Sequence, residues 1–154
     1  MKYLPSCLAL ATLVTLAAGC AEPTLDATVQ EYIQSNGGSF KDCGDLEITL
    51  DCSEGASQAA PAKCFLDGFA ACEPVRVDLT SSTIEGDPIY STYLVVPSGK
   101  TCHVEAFVDT RKDAFGPKEI TQDSCGSATE GGTCSDPLAI DECTSSCGDN
   151  ADCG

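Results

Sequence analysis

The chain has 154 residues, with 24 acidic against 8 basic side chains, 12 cysteines, one histidine and no tryptophan. A formal net charge of −16 excludes the basic stripes on which nucleic-acid binding and electrostatic docking to anionic lipid depend. With 42% hydrophobic and 21% charged residues the chain can still build a core, and its length suits one domain with appendages.

The N-terminus reads as an export signal. Met1-Lys2-Tyr3 carries one positive charge and precedes an apolar run of eleven residues from Leu8 to Ala18, interrupted by Thr12 and Thr15. A helix needs about 20 apolar residues to cross a bilayer, so this run is a signal-peptide h-region and not a permanent span. Its end, Leu16-Ala17-Ala18-Gly19-Cys20, resembles the lipobox of bacterial lipoproteins, although Ala17 stands where leucine is commonest. The resemblance implies that the Cys20 sulfur takes a diacylglyceryl group, that residues 1–19 are removed, and that the new amino terminus is acylated. The implied partner is the lipid bilayer, and the implied location is the bacterial cell envelope. In enteric bacteria an Asp after the lipobox cysteine favours the inner membrane; Ala21 here favours the outer one.

Cysteine parity agrees with this reading. With Cys7 lost in the signal and Cys20 lipidated, ten remain: Cys43, Cys52, Cys64, Cys72, Cys102, Cys125, Cys134, Cys143, Cys147 and Cys153. An even set in a small exported chain reads as a disulfide framework.

Residues 20–41 follow as a lipidated tether and a short helix. Leu25, Val29, Tyr32 and Ile33 share one helical face, Thr24 can cap the start, and Asn36-Gly37-Gly38 supplies a stop, which predicts a helix over 25–35. An α+β domain is expected over 42–125. Leu46, Ile48, Leu50 and Cys52 alternate with polar residues and predict a strand that Ser53-Glu54-Gly55 breaks. Ala62, Leu66 and Phe69 predict a helix near 58–72, with Pro61 in its first turn and Pro74 preventing continuation. On that helix Cys64 and Cys72 lie about 12 Å apart and cannot bond each other, so each is expected to reach toward Cys43 and Cys52.

Four more strands are predicted. Val75, Val77 and Leu79 alternate with Arg76, Asp78 and Thr80, and Gly86-Asp87-Pro88 turns into the β-rich run Ile89 to Val96. Pro97-Ser98-Gly99-Lys100 turns again into the strand around Cys102, Val104, Ala106 and Val108, and Lys118 to Cys125 forms the last. Cys102 and Cys125 are expected to pair across adjacent strands. The fold class is therefore α+β, one helix on a curved antiparallel sheet in the order β-α-β-β-β-β. Residues 126–154 are expected to be a Gly-rich linker, Gly126 to Gly132, and an acidic Cys-rich tail held by two disulfides.

That order resembles the cystatin fold, whose members inhibit papain-like proteases with a Gln-Xaa-Val-Xaa-Gly hairpin and a Pro-Trp hairpin. Here the first hairpin reads Ser82-Thr83-Ile84-Glu85-Gly86, keeping the hydrophobic residue and the glycine while Ser82 replaces Gln. The second offers Phe115-Gly116-Pro117 in a chain without tryptophan. The resemblance implies a cystatin-like inhibitor as the alternative to a non-catalytic binding or structural module.

Catalytic and metal chemistry find little support. His103 shares a strand face with Glu105, yet no unpaired cysteine or serine motif supplies a nucleophile. Oxidised thiols are not zinc ligands, and Cys143-Xaa3-Cys147 lacks a second short pair. Asp149 to Gly154 resembles the start of an EF-hand loop without its closing Glu, and Asp136, Asp141, Glu142, Asp149 and Asp152 read as solvated negative surface. No cofactor, metal or catalytic residue is expected, and the protein is expected to be a monomer that is not an enzyme.

Overall fold

The structure, a computed structural model, describes residues 22–48, 55–133 and 136–145. Within them the order is α1 (Leu25–Ser35), β1 (Lys41–Glu47), α2 (Gly55–Ala71), β2 (Val75–Ser82), β3 (Pro88–Ser98), β4 (Thr101–Asp109), β5 (Ile120–Thr133) and β6 (Asp136–Ser145). The strands form one six-stranded sheet in sequence order. None of the described helices is long and apolar enough to cross a membrane.

Local signals set the ends of both helices. Thr24 Oγ1 accepts from the Ala27 N–H at 3.2 Å, and Gly38 N–H donates to Ile33 O across the left-handed Gly37, closing α1 as expected. At the end of α2, Cys72 itself takes the left-handed turn, with φ 51°, while Glu73 N–H returns to Gly68 O at 2.9 Å. Pro74 forbids further helix, and the same closing motif forms without a glycine. Helix α2 starts at Gly55, earlier than expected, so Pro61 lies inside it and not in its first turn.

The sheet is mixed, which corrects the antiparallel expectation. β1 runs parallel to β2, and the remaining neighbours are antiparallel. The reason lies in α2: its 17 residues span about 25 Å, enough to carry the chain back along the seven residues of β1 before β2 begins. β1 also ends at Glu47, so the predicted alternation survives at Leu46 and Ile48, and Leu50 and Cys52 lie outside the described residues.

Alternation along each strand divides two cores. Phe65 and Ala62 of α2 pack on Val75, Val77, Leu79, Val95, Val104 and Ala106. On the opposite face Val29 of α1 packs with Leu94 and Phe107. Leu94 and Val95 are successive residues, so the two helices cover opposite faces of the sheet. The expectation of a single helix on the sheet is corrected accordingly.

The close approach of α2 to β2 rests on Gly68. A Cβ there would stand 2.6 Å from both methyl groups of Val75, itself 1% exposed. Gly68→Ala is expected to cost about 1–3 kcal/mol through overpacking, outweighing the about 1 kcal/mol of helix propensity it gains. Denaturant unfolding checks this, and a more stable variant would contradict it.

Among the described residues three disulfides cross-link the elements: Cys43–Cys64 joins β1 to α2, Cys72–Cys102 joins the end of α2 to β4, and Cys125–Cys143 joins β5 to β6. Cys64 finds Cys43 as expected, whereas Cys72 bonds Cys102 and not Cys52. The expected Cys102–Cys125 pair is not formed. The register sets Val104, not Cys102, opposite Cys125, and Cys143 is the direct partner of Cys125 on its other side. Cys52, Cys134, Cys147 and Cys153 lie outside the described residues.

The glycine-rich stretch 126–132 is not a linker. It continues β5, and much of the supposed tail is β6. Leu138 is buried, Ala128 faces Ile140 across the pair, and both β6 side chains join the α2-side core. A disulfide at one end of the pair and this apolar face outweigh the weak strand preference of glycine.

Candidate functional site

Two groups of residues carry chemistry, one within the α1 face of the sheet and one at its end. In the first, Glu105 is 4% exposed and accepts hydrogen bonds from Gln122 Nε2 at 2.8 Å and from Ser124 Oγ, with His103 Nε2 3.0 Å from its Oε1. The three groups sit on neighbouring positions of β4 and β5 because side chains two apart on a strand share a face. The sequence pairing of His103 with Glu105 is therefore realised. Ser124 gives its proton to the carboxylate rather than to the imidazole, so the cluster lacks the nucleophile–base pair of acyl-transfer sites. It reads as a buried carboxylate whose desolvation is offset by hydrogen bonds.

Its charge reaches α1. Burial, reinforced by repulsion from Glu105, pushes the Tyr32 phenol up from 10.0 to about 12. A raised phenol holds its proton more tightly in the folded state, so its contribution to stability is complete below pH 10 and is lost as pH rises toward 12. One tyrosine is expected to ionise late in an ultraviolet titration, and Tyr32→Phe should remove that late transition. An unchanged titration would contradict the assignment.

A second network runs beside α1. Arg76 donates Nε to Asp78 Oδ2 at 2.9 Å and Nη2 to Asp26 Oδ1 at 3.2 Å, and Thr92 donates to Asp78. Arg76 and Asp78, with Gln30, Ile33, Ser39, Phe40 and Asp42, line a depression of about 440 Å³ between α1 and the sheet edge.

The other group stands at the end of the sheet where β2 turns into β3 and β4 into β5. Loop 83–87 is closed by Thr83 N–H to Asp87 O at 2.9 Å and by Gly86 N–H to Thr83 O at 3.0 Å, with Gly86 at φ 92°, where a side chain would strain the backbone. Asp87 Oδ2 accepts from the Ala114 N–H at 2.8 Å, tying this loop to loop 110–119. Lys112 reaches back over the Tyr90 ring, 4.8 Å from its centroid. The two hairpins singled out in the sequence, 82–86 and 114–117, are thus brought side by side.

A third segment joins them. Arg111 is held in a fork by Asp109, with Nε to Oδ1 at 2.9 Å and Nη2 to Oδ2 at 2.7 Å. Its remaining Nη1 donates to Pro23 O at 2.8 Å, 88 positions earlier in the chain. Hydrogen bonding from Arg111 holds the Asp109 carboxyl below the usual carboxylate range. A lowered carboxylate stabilises the fold above its ordinary titration range and loses that contribution as pH falls through its folded value, so acid loosens the Pro23 link. Sequence reasoning missed Asp109 and Arg111; an Asp-Xaa-Arg spacing at a strand end was the available signal.

Among the described residues no group of three or more His, Cys, Asp or Glu side chains is placed to hold a metal ion. Cys20 and the Asp149–Gly154 stretch lie outside the described residues. No protein family, curated protein or solved structure matches the chain.

Proposed function

We propose that the chain is an exported bacterial lipoprotein, held to the cell envelope by acyl groups on Cys20 and serving there as a monomeric, non-catalytic binding or structural module. The observation that carries export is the set of three disulfides, each linking different elements of one sheet-and-helix body, a state that an oxidising compartment maintains. The lipobox-like Leu16 to Cys20 and the even count of mature cysteines support the anchor. Outer-membrane placement follows from Ala21. The test is the intact mass of native protein before and after alkylation without reductant. Acyl mass on a chain beginning at Cys20, with no alkylated thiol, is expected; an acyl-free chain or a modified thiol would refute the reading.

One observation favours a second reading, cystatin-like inhibition of papain-type proteases. The two hairpins that such inhibitors insert lie together, presenting Ile84 and Phe115 to solvent. Ser82 in place of Gln and the lack of tryptophan weaken it. Lack of inhibition of papain by the 21–154 fragment at micromolar concentration would remove this alternative.

A further inference from the structure

Ile84 is 98% exposed and Phe115 is 81% exposed, and these are the large apolar side chains that the described fold leaves in water. They do not stand at random. Each tips one of the two loops joined by the Asp87–Ala114 hydrogen bond, at the end of the sheet where Arg111 grips Pro23.

We propose that this end of the domain rests on the lipid bilayer, with Ile84 and Phe115 placed in the boundary between headgroups and acyl chains. The inference rests on Cys20 being the acylated terminus. Cys20 precedes Pro23 by three residues, which even fully extended reach at most about 11 Å. The acyl chains therefore enter the membrane beside the loops, and the loops cannot be held far from it. The opposite end of the sheet, at the Gly99-Lys100 turn, stands about 33 Å away along the 11 residues of β3.

Composition at the loops fits that occupant. Loop 110–119 holds Arg111, Lys112 and Lys118 against Asp113 and Glu119, a net positive segment in a chain with 24 acids to 8 bases. Glu85 and Asp87 on the other loop, with Asp109 and Glu22 beside Arg111, bring this end to three net negative charges, so the apolar tips and the acyl anchor, not charge, hold it to lipid. Tyr90 and Lys112 sit behind the apolar tips, an aromatic ring and a long cation of the kind that settle at headgroup level.

The sequence's lack of tryptophan supplies the test. Ile84→Trp, Phe115→Trp and Lys100→Trp each create a single fluorophore at an exposed position, and the full-length acylated protein is placed in phosphatidylethanolamine–phosphatidylglycerol vesicles carrying brominated acyl chains. The first two variants are expected to shift to the blue and lose most of their emission to bromines about 5–10 Å below the surface, while Lys100→Trp keeps its emission. Equal emission at all three sites on protein whose mass shows the acyl groups would overturn the proposal and leave the anchor standing. An acyl-free mass would overturn both. Emission at 84 and 115 that responds to papain but not to lipid would overturn it in favour of the protease reading.

Discussion

Reducing the native protein should unfold it at room temperature. The three disulfides close segments of 21, 30 and 18 residues. On the chain-entropy relation each restricts the unfolded chain by about 3–4 kcal/mol, so together they contribute about 10 kcal/mol. The whole stability of a domain is about 5–15 kcal/mol, and little would remain. The contributions should not be equal in practice. Cys125–Cys143 ties two strands that already pair as neighbours, whereas Cys72–Cys102 closes the longest segment and pins the end of α2 to a central strand. Replacing Cys72 and Cys102 together by alanine is therefore expected to lower the melting temperature more than replacing Cys125 and Cys143. Thermal melts followed by circular dichroism, with and without a phosphine reductant, decide the matter. A reduced sample that keeps its melting temperature would show that the packed core suffices.

How far the sequence discloses this fold depends on how local each cause is. α1 is legible to the residue because Thr24, its apolar face and Asn36-Gly37 all lie within the segment. β2, β3 and β4 are legible for the same reason, their alternation being a property of each strand alone. The direction of β1 is not, because it is decided by the length of a helix that comes after it. Nor is the second half of β5: Gly126, Gly131 and Gly132 read as a linker until Leu138, Ile140 and Cys143 are set opposite, and that pairing is a relation between segments. The candidate site divides in the same way. The two hairpins are visible as turns, but their meeting needs the meander, and the Arg111–Pro23 bond spans 88 positions that no motif records. His103 and Glu105, two apart on one strand, were found together because a strand's own geometry joins them.

Phe107→Ala is expected to cost about 3–5 kcal/mol, the range for emptying a buried aromatic site. Phe107 is fully buried, meets the Tyr32 ring edge-on at 5.4 Å between centroids, and with Val29 and Leu94 forms the small core on the α1 face. The consequence should be local as well as global. α1 has 11 residues and no cysteine, and helices shorter than about 12–15 residues are marginal without packing. Amide exchange across 25–35 should therefore approach that of an open chain in the variant. Phe65→Ala makes an equal hole on the other face, but α2 is held at Cys64 and Cys72, so its amides should stay protected relative to global unfolding. The contrast isolates packing from cross-linking as the source of helix order. It also bears on the membrane end: once α1 is loose, Pro23 is no longer presented to Arg111, and the Phe115→Trp probe should lose its lipid contact although the acyl anchor is intact. Retained quenching in a Phe107→Ala, Phe115→Trp double variant would mean that the loops seek the bilayer without help from α1.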